Sequence, residues 1–344
     1  MDKVWHLEWS FGSLDLHSAG GMLGGVFLKD GAWTVRPFYE APWIGEAPLS
    51  DVPSLLDQLR SEFPCVPFGS PSYPVERVID SWKQSLSLPA VSDPTLDASD
   101  SLLHGYVCVG SWDLIRQTES AIEIAVDYPQ SSAISRVSRV VSADLKRPAI
   151  NFSLTVEARK KSRWPMGVHP NFALPSAAGA FRIEPGKFRF GVVHPAGPEP
   201  GVSRGEPGAL FEDLAQVPMR DKGRARFDRL PFAYATEEIV QLCGIDGSVK
   251  LFDDQAKVAY RLTWDASILP SLLLWISNRG RSYPPWNSRN VCVGVEPLIG
   301  TFDLGHYAAS ARNPINEKGV DTARTLIPGE PTEVDYRVEV IKYE

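Results

Sequence analysis

Short runs of β-branched and aromatic residues alternate with proline and glycine turn signals along this chain, and this pattern limits its possible folds most strongly. Residues 122–127, 150–157 and 334–340 alternate apolar and polar side chains, which is typical of antiparallel strands with one buried face. The 29 prolines and 27 glycines supply the turns. The predicted strands are residues 5–11, 24–28, 32–39, 121–128, 134–142, 149–157, 187–193, 249–253, 258–264, 271–277, 291–296 and 334–343.

Helical patterns are scarce by comparison. Only residues 50–61 place apolar side chains at helical spacing (Val52, Leu55, Leu56 and Leu59) after a Ser-Asp pair that suits a helix start. An α/β fold would need a helix between successive strands. We therefore predict an all-β fold, a large and mostly antiparallel β-sandwich with few short helices.

The length of the chain permits more than one domain. Its 344 residues, 43% of them hydrophobic, can bury a large core, and one large β domain or two smaller ones are both compatible with that size. Residues 195–223 form the longest irregular stretch and are rich in proline and glycine. Strand patterns of the same kind resume after it, so we predict one domain over residues 1–344, with this stretch as a long loop at the rim of the sandwich. Loops of this kind often border a binding cleft.

Charge and cysteine content exclude several classes of protein. The net charge is −7 and the basic residues are scattered, which argues against nucleic-acid binding. Each of the four cysteines lies in an apolar stretch without a CxxC pair, which indicates buried thiols in a reducing compartment. We find neither a secretion signal nor an apolar run of about 18 residues that would cross a membrane. We expect a cytoplasmic protein that is a monomer or a homodimer and binds no membrane.

Three sites far apart in sequence carry side chains suited to proton transfer. His104 follows the motif FPCVPFG at residues 63–69, His169 lies in VHPNF at residues 168–172, and Glu296 lies in VCVGVEP at residues 291–297. An imidazole that titrates near neutrality can give and retake a proton, and apolar neighbours are expected to raise the pKa of the carboxyl. Two histidines and one carboxylate are what proton transfer on a neutral polyol needs, so the pattern points to sugar chemistry.

Each of these three residues also has a structural interpretation. A histidine before glycine or proline in a β-rich protein is more often a turn residue bonded to the backbone. Glu296 ends an apolar run, where burying a carboxylate is costly without a reason, but exposure to water at the strand end would remove that cost.

The order of the motifs resembles that of the aldose 1-epimerase (galactose mutarotase-like) family. The matching segments are FPCVPFG, the His104-Gly105 pair with Trp112, HPNF at residues 169–172, GVEP at residues 294–297 and LIPGEPTEVDYRVEV at residues 326–340. The resemblance implies a β-supersandwich with a sugar cleft, which interconverts the α and β anomers of an aldose without a metal or organic cofactor.

The resemblance also implies roles for the three residues. Glu296 matches the base that takes the proton from the anomeric hydroxyl, and His169 matches the acid that protonates the ring oxygen so that the ring opens. His104 matches a second histidine that binds the sugar. The roles of acid and base reverse after rotation about the C1–C2 bond.

The chain departs from the family in ways that leave its substrate open. The early arginine-rich stretch of the better-known mutarotases is replaced by residues 63–69. The Pro-Phe-Gly and His-Gly pairs look more like hexose-6-phosphate epimerases, but Tyr-Val-Cys at residues 106–108 stands where that branch usually has Phe-Ala-Arg. A missing phosphate-binding arginine weakens the phosphosugar interpretation, although Arg77, Arg116 or Arg279 could replace it.

Further side chains near these motifs are candidates for binding sugar hydroxyls or stacking on the ring. The alternatives are a turn for Asp246, which precedes glycine, and an ordinary loop position for His194. The predicted substrate-binding residues are Trp275, Asn278, Arg279, Asp246, Trp286 and His194.

Three classes of function remain at this point. The leading one is an epimerase, the second is a non-catalytic carbohydrate-binding or regulatory protein on the same scaffold, and the third is a sugar isomerase or lyase. Presence of all three proton-transfer groups favours an enzyme. A lyase for acidic polymers would need a basic groove, which the net charge of −7 does not suggest.

Overall fold

The computed structural model describes residues 2–31, 33–47, 52–70, 73–86 and 100–343. These residues form a nearly all-β structure in which every ladder between named strands is antiparallel, as predicted. Strands are numbered here in chain order. The nine-stranded sheet contains, in spatial order, β18 (Arg229–Leu230), β13 (Phe181–Pro185), β20 (Ser248–Asp253), β21 (Val258–Trp264), β25 (Thr332–Ile341), β9 (Ala149–Ala158), β8 (Ile134–Ala143), β7 (Ala121–Asp127) and β6 (Asp113–Gln117).

A second large sheet has eight strands. In spatial order they are β15 (Leu210–Phe211), β14 (Phe190–Val193), β19 (Thr236–Cys243), β22 (Ser271–Asn278), β23 (Val291–Ile299), β11 (Met166–Val168) and β5 (Pro64–Cys65), with β12 (Asn171–Ala173) also paired to β23.

Three smaller sheets complete the strands. One is a four-stranded meander, and the other two are two-stranded ribbons. They contain β1 (Val4–Trp9), β2 (Gly12–His17), β3 (Leu23–Asp30) and β4 (Trp33–Val35); β10 (Ser162–Trp164) with β24 (Arg324–Leu326); and β16 (Val217–Pro218) with β17 (Arg224–Ala225).

The two large sheets pack face to face around the core. The ring of Phe172 in β12 lies 5.8 Å from the ring of Tyr260 in β21. Every residue of β19 and β22 is buried, so both faces of these strands are covered. The near-continuous apolar run of β22 suits such a position. The face of these strands that points away from the nine-stranded sheet is therefore covered by other segments of the chain.

A buried ion pair connects the nine-stranded sheet to the chain before β5. Arg139 in β8 donates to Glu62 over 2.6 Å, and neither side chain is exposed by more than 1%. Tyr336 in β25 donates to the other oxygen of Glu62. Because the next residue, Phe63, accepts a hydrogen bond from the backbone N–H of His169, this network anchors a wall of the site described below.

The predicted helix at residues 50–61 is wrong in its extent. Residues 50 and 51 lie outside the described residues, and the helix there, α1 (Ser54–Asp57), is a single turn. Pro53 precedes it, and the chain leaves helical geometry at Gln58, so that the carbonyl of Leu59 accepts from Ala41 instead. Two further short helices, α2 (Asp80–Leu86) and α3 (Gly305–Ser310), were not predicted.

The strand β19 was also missed by the sequence analysis. It begins Thr-Glu-Glu, a sequence that is typical of an exposed segment, yet Glu237 and Glu238 are both buried. Ser277 donates to Glu237, and the backbone N–H of Arg204 donates to Glu238. These hydrogen bonds from outside the strand let the two carboxylates enter the interior.

The irregular stretch at residues 195–223 adds β15 to the eight-stranded sheet and contains the short strand β16 of the ribbon with β17. Its Glu199 accepts hydrogen bonds from Arg281 and Tyr283 on a different segment of the chain. All four cysteines are buried and none forms a disulfide. Among the described residues, no helix has the length and apolar character needed to cross a membrane.

Candidate functional site

The register of the eight-stranded sheet places His169 opposite Glu296. Gly167 in β11 pairs with Leu298, and Asn171 in β12 pairs with Gly294. His169 lies midway between these two pairs and therefore faces Glu296 of β23. The backbone N–H of His169 donates to the carbonyl of Phe63, so the histidine is held from both sides.

The two side chains are in contact and buried. His169 Nε2 lies 3.2 Å from Glu296 Oε1, with 7% and 2% of the side chains exposed. The contact is not aligned as a hydrogen bond, and neither Glu296 Oε1 nor His169 Nδ1 has a hydrogen-bond partner among the described residues. Buried polar atoms without partners are rare, and here they are consistent with a ligand that would supply the missing partners.

His104 is held beside this pair by a strained turn. Its φ is +57°, and the following Gly105 has a φ of +84°, where a Cβ would overlap the carbonyl of Val66. A positive φ at a residue other than glycine is a form of strain that clusters at functional sites. The ring of His104 lies 5.1 Å from the ring of His169 at nearly a right angle.

The hydrogen bonding of His104 defines which nitrogen carries its proton. The backbone N–H of Gly69 donates to Nδ1 over 3.3 Å. An amide N–H can only donate, so Nδ1 is the acceptor and Nε2 carries the proton in the neutral ring. His104 therefore offers an N–H donor to a ligand.

The three residues line one cavity of about 220 Å³. Its remaining walls are mainly apolar, with two tryptophans, one arginine and one aspartate. A mostly apolar cavity with a few polar groups is typical of a small-molecule site. The lining residues are Leu55, Leu56, Leu59, Phe63, Phe68, Ser70, Leu103, His104, His169, Ile239, Leu273, Trp275, Arg281, Trp286, Glu296 and Asp303.

Burial drives the acid–base groups toward their neutral forms. It raises the pKa of Glu296 well above its usual range, and the charge of Asp303 raises it further. Burial lowers the pKa of His169 well below its usual range, and His104 adds to that effect. Burial also lowers the pKa of His104 to about 4, although Asp303 acts in the opposite direction. Burial thus favours a protonated carboxyl beside a neutral imidazole.

Two of the predicted substrate-binding residues, Trp275 and Trp286, line this cavity. Their rings are 6.1 Å apart in an edge-to-face arrangement, and the ring of Trp275 lies 5.9 Å from that of His169. Trp275 pairs with Gly294 across the ladder between β22 and β23. This places the tryptophan on the same face of the sheet as Glu296, where a sugar ring can stack against it.

Four other predicted binding residues do not line the cavity. Asn278 is buried and donates to the carbonyls of Phe232 and Tyr234, so its amide is used in the structure. Arg279 is exposed. Asp246 accepts from the backbone N–H of Lys187 and from Ser248 in an exposed turn. His194, the fourth, is described below.

The structure adds Arg281, which the sequence analysis overlooked in favour of Arg279. The guanidinium of Arg281 lies 4.7 Å from the ring centre of Trp286, and its Nε donates to Glu199 over 3.2 Å. Arg281 lies two residues after Arg279 in the loop that follows β22. Strand periodicity does not extend into such a loop, so the sequence does not show which of the two arginines faces the cavity. The contact with Glu199, 82 residues away in sequence, fixes the orientation of the arginine.

Asp303 is the second cavity residue that the sequence analysis missed, and it connects His194 to the cavity. His194 is fully buried, and its Nε2 lies 2.8 Å from Asp303 Oδ1. Asp303 lines the cavity, so His194 contributes through it. Burial alone would raise the pKa of Asp303, but the interaction with His194, together with smaller contributions from a backbone hydrogen bond and from His104, outweighs burial, so that the pKa lies below its usual value. Asp303 is therefore the ionised carboxylate of the cavity.

Among the described residues, no group of three His, Cys, Asp or Glu side chains is placed to hold a metal ion.

Comparison with known proteins identifies the fold. No protein-family model matches the chain, and no curated protein matches it in sequence. A candidate aldose 1-epimerase from Escherichia coli K12 superposes with a TM-score of 0.65 at 17% identity, over 99% of this chain and 100% of that one. An aldose epimerase homologue from C. elegans gives 0.64 at 11% identity over all of both chains.

A galactose mutarotase related enzyme from Lactobacillus acidophilus is also similar. Its TM-score is 0.59 at 14% identity, over 99% of this chain and 98% of that one. Likeness at such low identity establishes the architecture alone. The chain has the galactose mutarotase-like fold that its motif order predicted.

Proposed function

We propose that this protein is a carbohydrate-active epimerase, a mutarotase, that interconverts the α and β anomers of an aldose by general acid–base ring opening. The observation that carries the proposal is the buried contact of 3.2 Å between His169 Nε2 and Glu296 Oε1 inside the cavity. The galactose mutarotase-like fold is consistent with it, because solved structures of that fold include proteins described as aldose epimerases and mutarotases.

Glu296 and His169 together hold the number of protons that anomer exchange requires. A protonated Glu296 with a neutral His169 contains the same number of protons as an ionised Glu296 with an imidazolium, so one proton shift converts the resting pair into a base and an acid. In the proposed reaction Glu296 takes the proton of the hydroxyl on C1, and His169 gives a proton to the ring oxygen. The C1–O5 bond breaks and the aldehyde forms.

The closeness of the two groups suits the substrate. The C1 hydroxyl oxygen and the ring oxygen are bonded to the same carbon, so the groups that serve them must also be neighbours. After rotation about C1–C2 the ring closes on the other face of the aldehyde, with Glu296 returning a proton to O1 and His169 removing one from O5. Both residues end in their starting states.

His104 and the two tryptophans complete the proposed sugar site. The N–H at Nε2 of His104 is the donor for a sugar oxygen, as the hydrogen bond from Gly69 to Nδ1 indicates. Trp275 and Trp286 supply flat apolar surfaces for the C–H face of a sugar ring. Donors and platforms of this kind would orient C1 toward the acid–base pair.

The experiment that tests this function is anomer exchange measured by NMR on a panel of free and phosphorylated aldoses. A pure anomer is added and its conversion is followed with and without protein. We expect at least one sugar to exchange faster than its spontaneous rate. Binding of sugars with no acceleration of any of them would refute the enzyme and support the alternative, a non-catalytic carbohydrate-binding protein on the same scaffold.

The panel also addresses the second alternative, a hexose-6-phosphate 1-epimerase. Arg281 is the one arginine or lysine that lines the cavity among the described residues, and Glu199 already occupies its Nε. Acceleration limited to phosphorylated sugars would favour the phosphosugar epimerase.

A further inference from the structure

We propose that Asp303, positioned by His194, is a further substrate-binding residue of this site, whose carboxylate accepts hydrogen bonds from ring hydroxyls other than the one on C1. The inference rests on the proposed function for the identity of the ligand as an aldose. It concerns two residues that neither the acid–base chemistry nor the motifs described above require.

The first support is the position of the carboxylate. Asp303 lines the same cavity as Glu296 and His169, and 28% of its side chain is exposed. Its negative charge acts on the other residues of the cavity, because it raises the pKa of both Glu296 and His104. A charged carboxylate in a cavity with mostly apolar walls needs hydrogen-bond donors, and the hydroxyl groups of a sugar are donors.

The second support is that His194 is arranged to hold this carboxylate. The backbone N–H of Ala196 donates to Nδ1 of His194 over 3.2 Å. Nδ1 is therefore an acceptor, and the proton of the neutral ring lies on Nε2, which donates to Asp303 Oδ1 over 2.8 Å. The imidazole is fully buried and packs edge-on against Phe302, with ring centres 5.0 Å apart.

The third support is the rigidity of the turn that carries Asp303. Gln241 in β19 clamps this turn, because its amide donates to the carbonyl of Gly300 and accepts from the backbone N–H of Phe302. Phe302 is a fully buried phenylalanine with a φ of +50°. Strain at such a residue persists only where its surroundings fix it, and it is concentrated at ligand sites.

The turn is also tied to His104. The backbone N–H of Ser70 donates to the carbonyl of Asp303, and Gly69 packs against the backbone of Asp303. The backbone N–H of Gly69 is the group that binds Nδ1 of His104. Asp303 and His104 are thus held in one rigid unit, with a hydrogen-bond acceptor and a donor on the same cavity.

The test uses Asp303→Asn, which keeps the shape of the side chain and removes its charge. We expect the Kd and KM for the best sugar of the panel to rise on the order of tenfold or more, while kcat changes much less, because hydrogen bonds to charged groups are the stronger ones. Asp321→Asn, at an exposed aspartate that does not line the cavity, is the matched control, and we expect it to behave as wild type.

A series of monodeoxy analogues separates direct contact from a structural effect. In the wild type, removal of the hydroxyl that Asp303 binds weakens binding, and in Asp303→Asn the penalty for that one hydroxyl disappears while the others remain. His194→Gln keeps an N–H donor and should stay near wild type. His194→Phe removes the donor and should show the deoxy-sugar profile of Asp303→Asn. Unfolding curves identify any variant that fails to fold. If His194→Phe fails to fold, Asp303→Asn provides the comparison with wild type, and if Asp303→Asn fails to fold, His194→Phe provides it.

The outcomes distinguish this inference from the proposed function. Unchanged affinity in Asp303→Asn, or the same deoxy-sugar penalties as in the wild type, would overturn the role of Asp303 even if exchange is catalysed. A wild type that binds sugars without catalysing exchange, but loses one hydroxyl penalty in Asp303→Asn, would refute the epimerase and support this inference. A wild type that binds no sugar on the panel would overturn both.

Discussion

The carboxylate of Glu296 occupies the space beside Gly294, two residues earlier on the same face of β23. A Cβ built on Gly294 would overlap Glu296 Oε1, and it would come within 3.3 Å of a ring carbon of His169. The glycine of the GVEP motif is therefore explained by the room that the acid–base pair needs. Its role is spatial, since its φ is not among the positive values of the chain.

This relationship predicts the effect of Gly294→Ala. The added methyl group meets the far end of a flexible side chain, so Glu296 can swing away without disturbing the backbone. We expect anomer exchange to slow on the order of 10²-fold, because displacing a reacting group by about 1 Å has effects of that size. The melting temperature should change by only a few degrees. The same substitution at Gly179, where a Cβ meets no atom within 4 Å but the φ is +73°, controls for alanine itself and should leave exchange intact.

Glu296→Gln and His169→Asn test the acid–base pair directly. Glutamine keeps the shape of Glu296 and removes its ability to take a proton, and asparagine removes the titrating ring of His169. We expect each variant to lower kcat on the order of 10²-fold or more and to change sugar affinity little. Replacement of His104 should weaken binding as well as slow the reaction, because His104 presents a donor to the sugar. NMR exchange rates together with binding titrations measure both quantities, and full exchange activity in Glu296→Gln would contradict the mechanism.

From its motifs the sequence identified three residues that line one cavity, but it missed others that line the same cavity from loops. His104, His169 and Glu296 were identified in the order of their motifs, and the all-β fold followed from the periodicity of the strands. Arg281 and Asp303 were missed, because each lies in a loop just after a strand, where no periodicity applies and the partners are distant in sequence. Glu199 is 82 residues from Arg281, and His194 is 109 residues from Asp303.

The same limit explains the wrong assignments. Asn278 and Asp246 are polar residues near the ends of strands, and sequence alone does not distinguish a side chain that binds a ligand from one that bonds to the backbone. The amide of Asn278 donates to the carbonyls of residues 232 and 234, and the carboxylate of Asp246 accepts a backbone hydrogen bond within a turn. Tertiary contacts decide between the two uses, and those contacts are not local.

The elevated pKa of Glu296 predicts a pH-dependent cost of the site to stability. Its pKa in the folded protein lies well above that of the unfolded chain, so the protonated residue contributes stability that is complete below about pH 4.5 and is lost as pH rises through the folded pKa. Glu296→Gln has no such loss. We expect the free energy of unfolding of Glu296→Gln to exceed that of the wild type by an amount that grows from pH 4.5 toward pH 8, with a melting temperature a few degrees higher at the upper end.

Denaturant unfolding of both proteins at several pH values measures this difference. Other titrating groups are common to the two proteins, so their contributions cancel in the difference. A constant difference across the pH range would show that Glu296 ionises normally in the folded protein.

The buried ion pair between Arg139 and Glu62 gives a prediction about the architecture that supports the site. Arg139→Met keeps most of the side-chain volume but leaves the Glu62 carboxylate without its charged partner, with Tyr336 as its remaining donor. Removing one partner of a buried pair costs on the order of 3–5 kcal/mol. We expect a loss of that size in the free energy of unfolding, measured by urea titration with linear extrapolation.

The double variant Arg139→Met, Glu62→Gln removes both charges and should recover most of this loss, because no unpaired charge then remains in the interior. Arg226→Met breaks the pair with Asp228, in which 61% of the arginine side chain is exposed, and should change stability far less than Arg139→Met, because water screens an exposed pair. Equal effects of Arg139→Met and Arg226→Met would show that the buried pair does not hold the sheets together. Because Phe63 follows Glu62 and binds the backbone of His169, Arg139→Met should also slow anomer exchange in conditions where it remains folded.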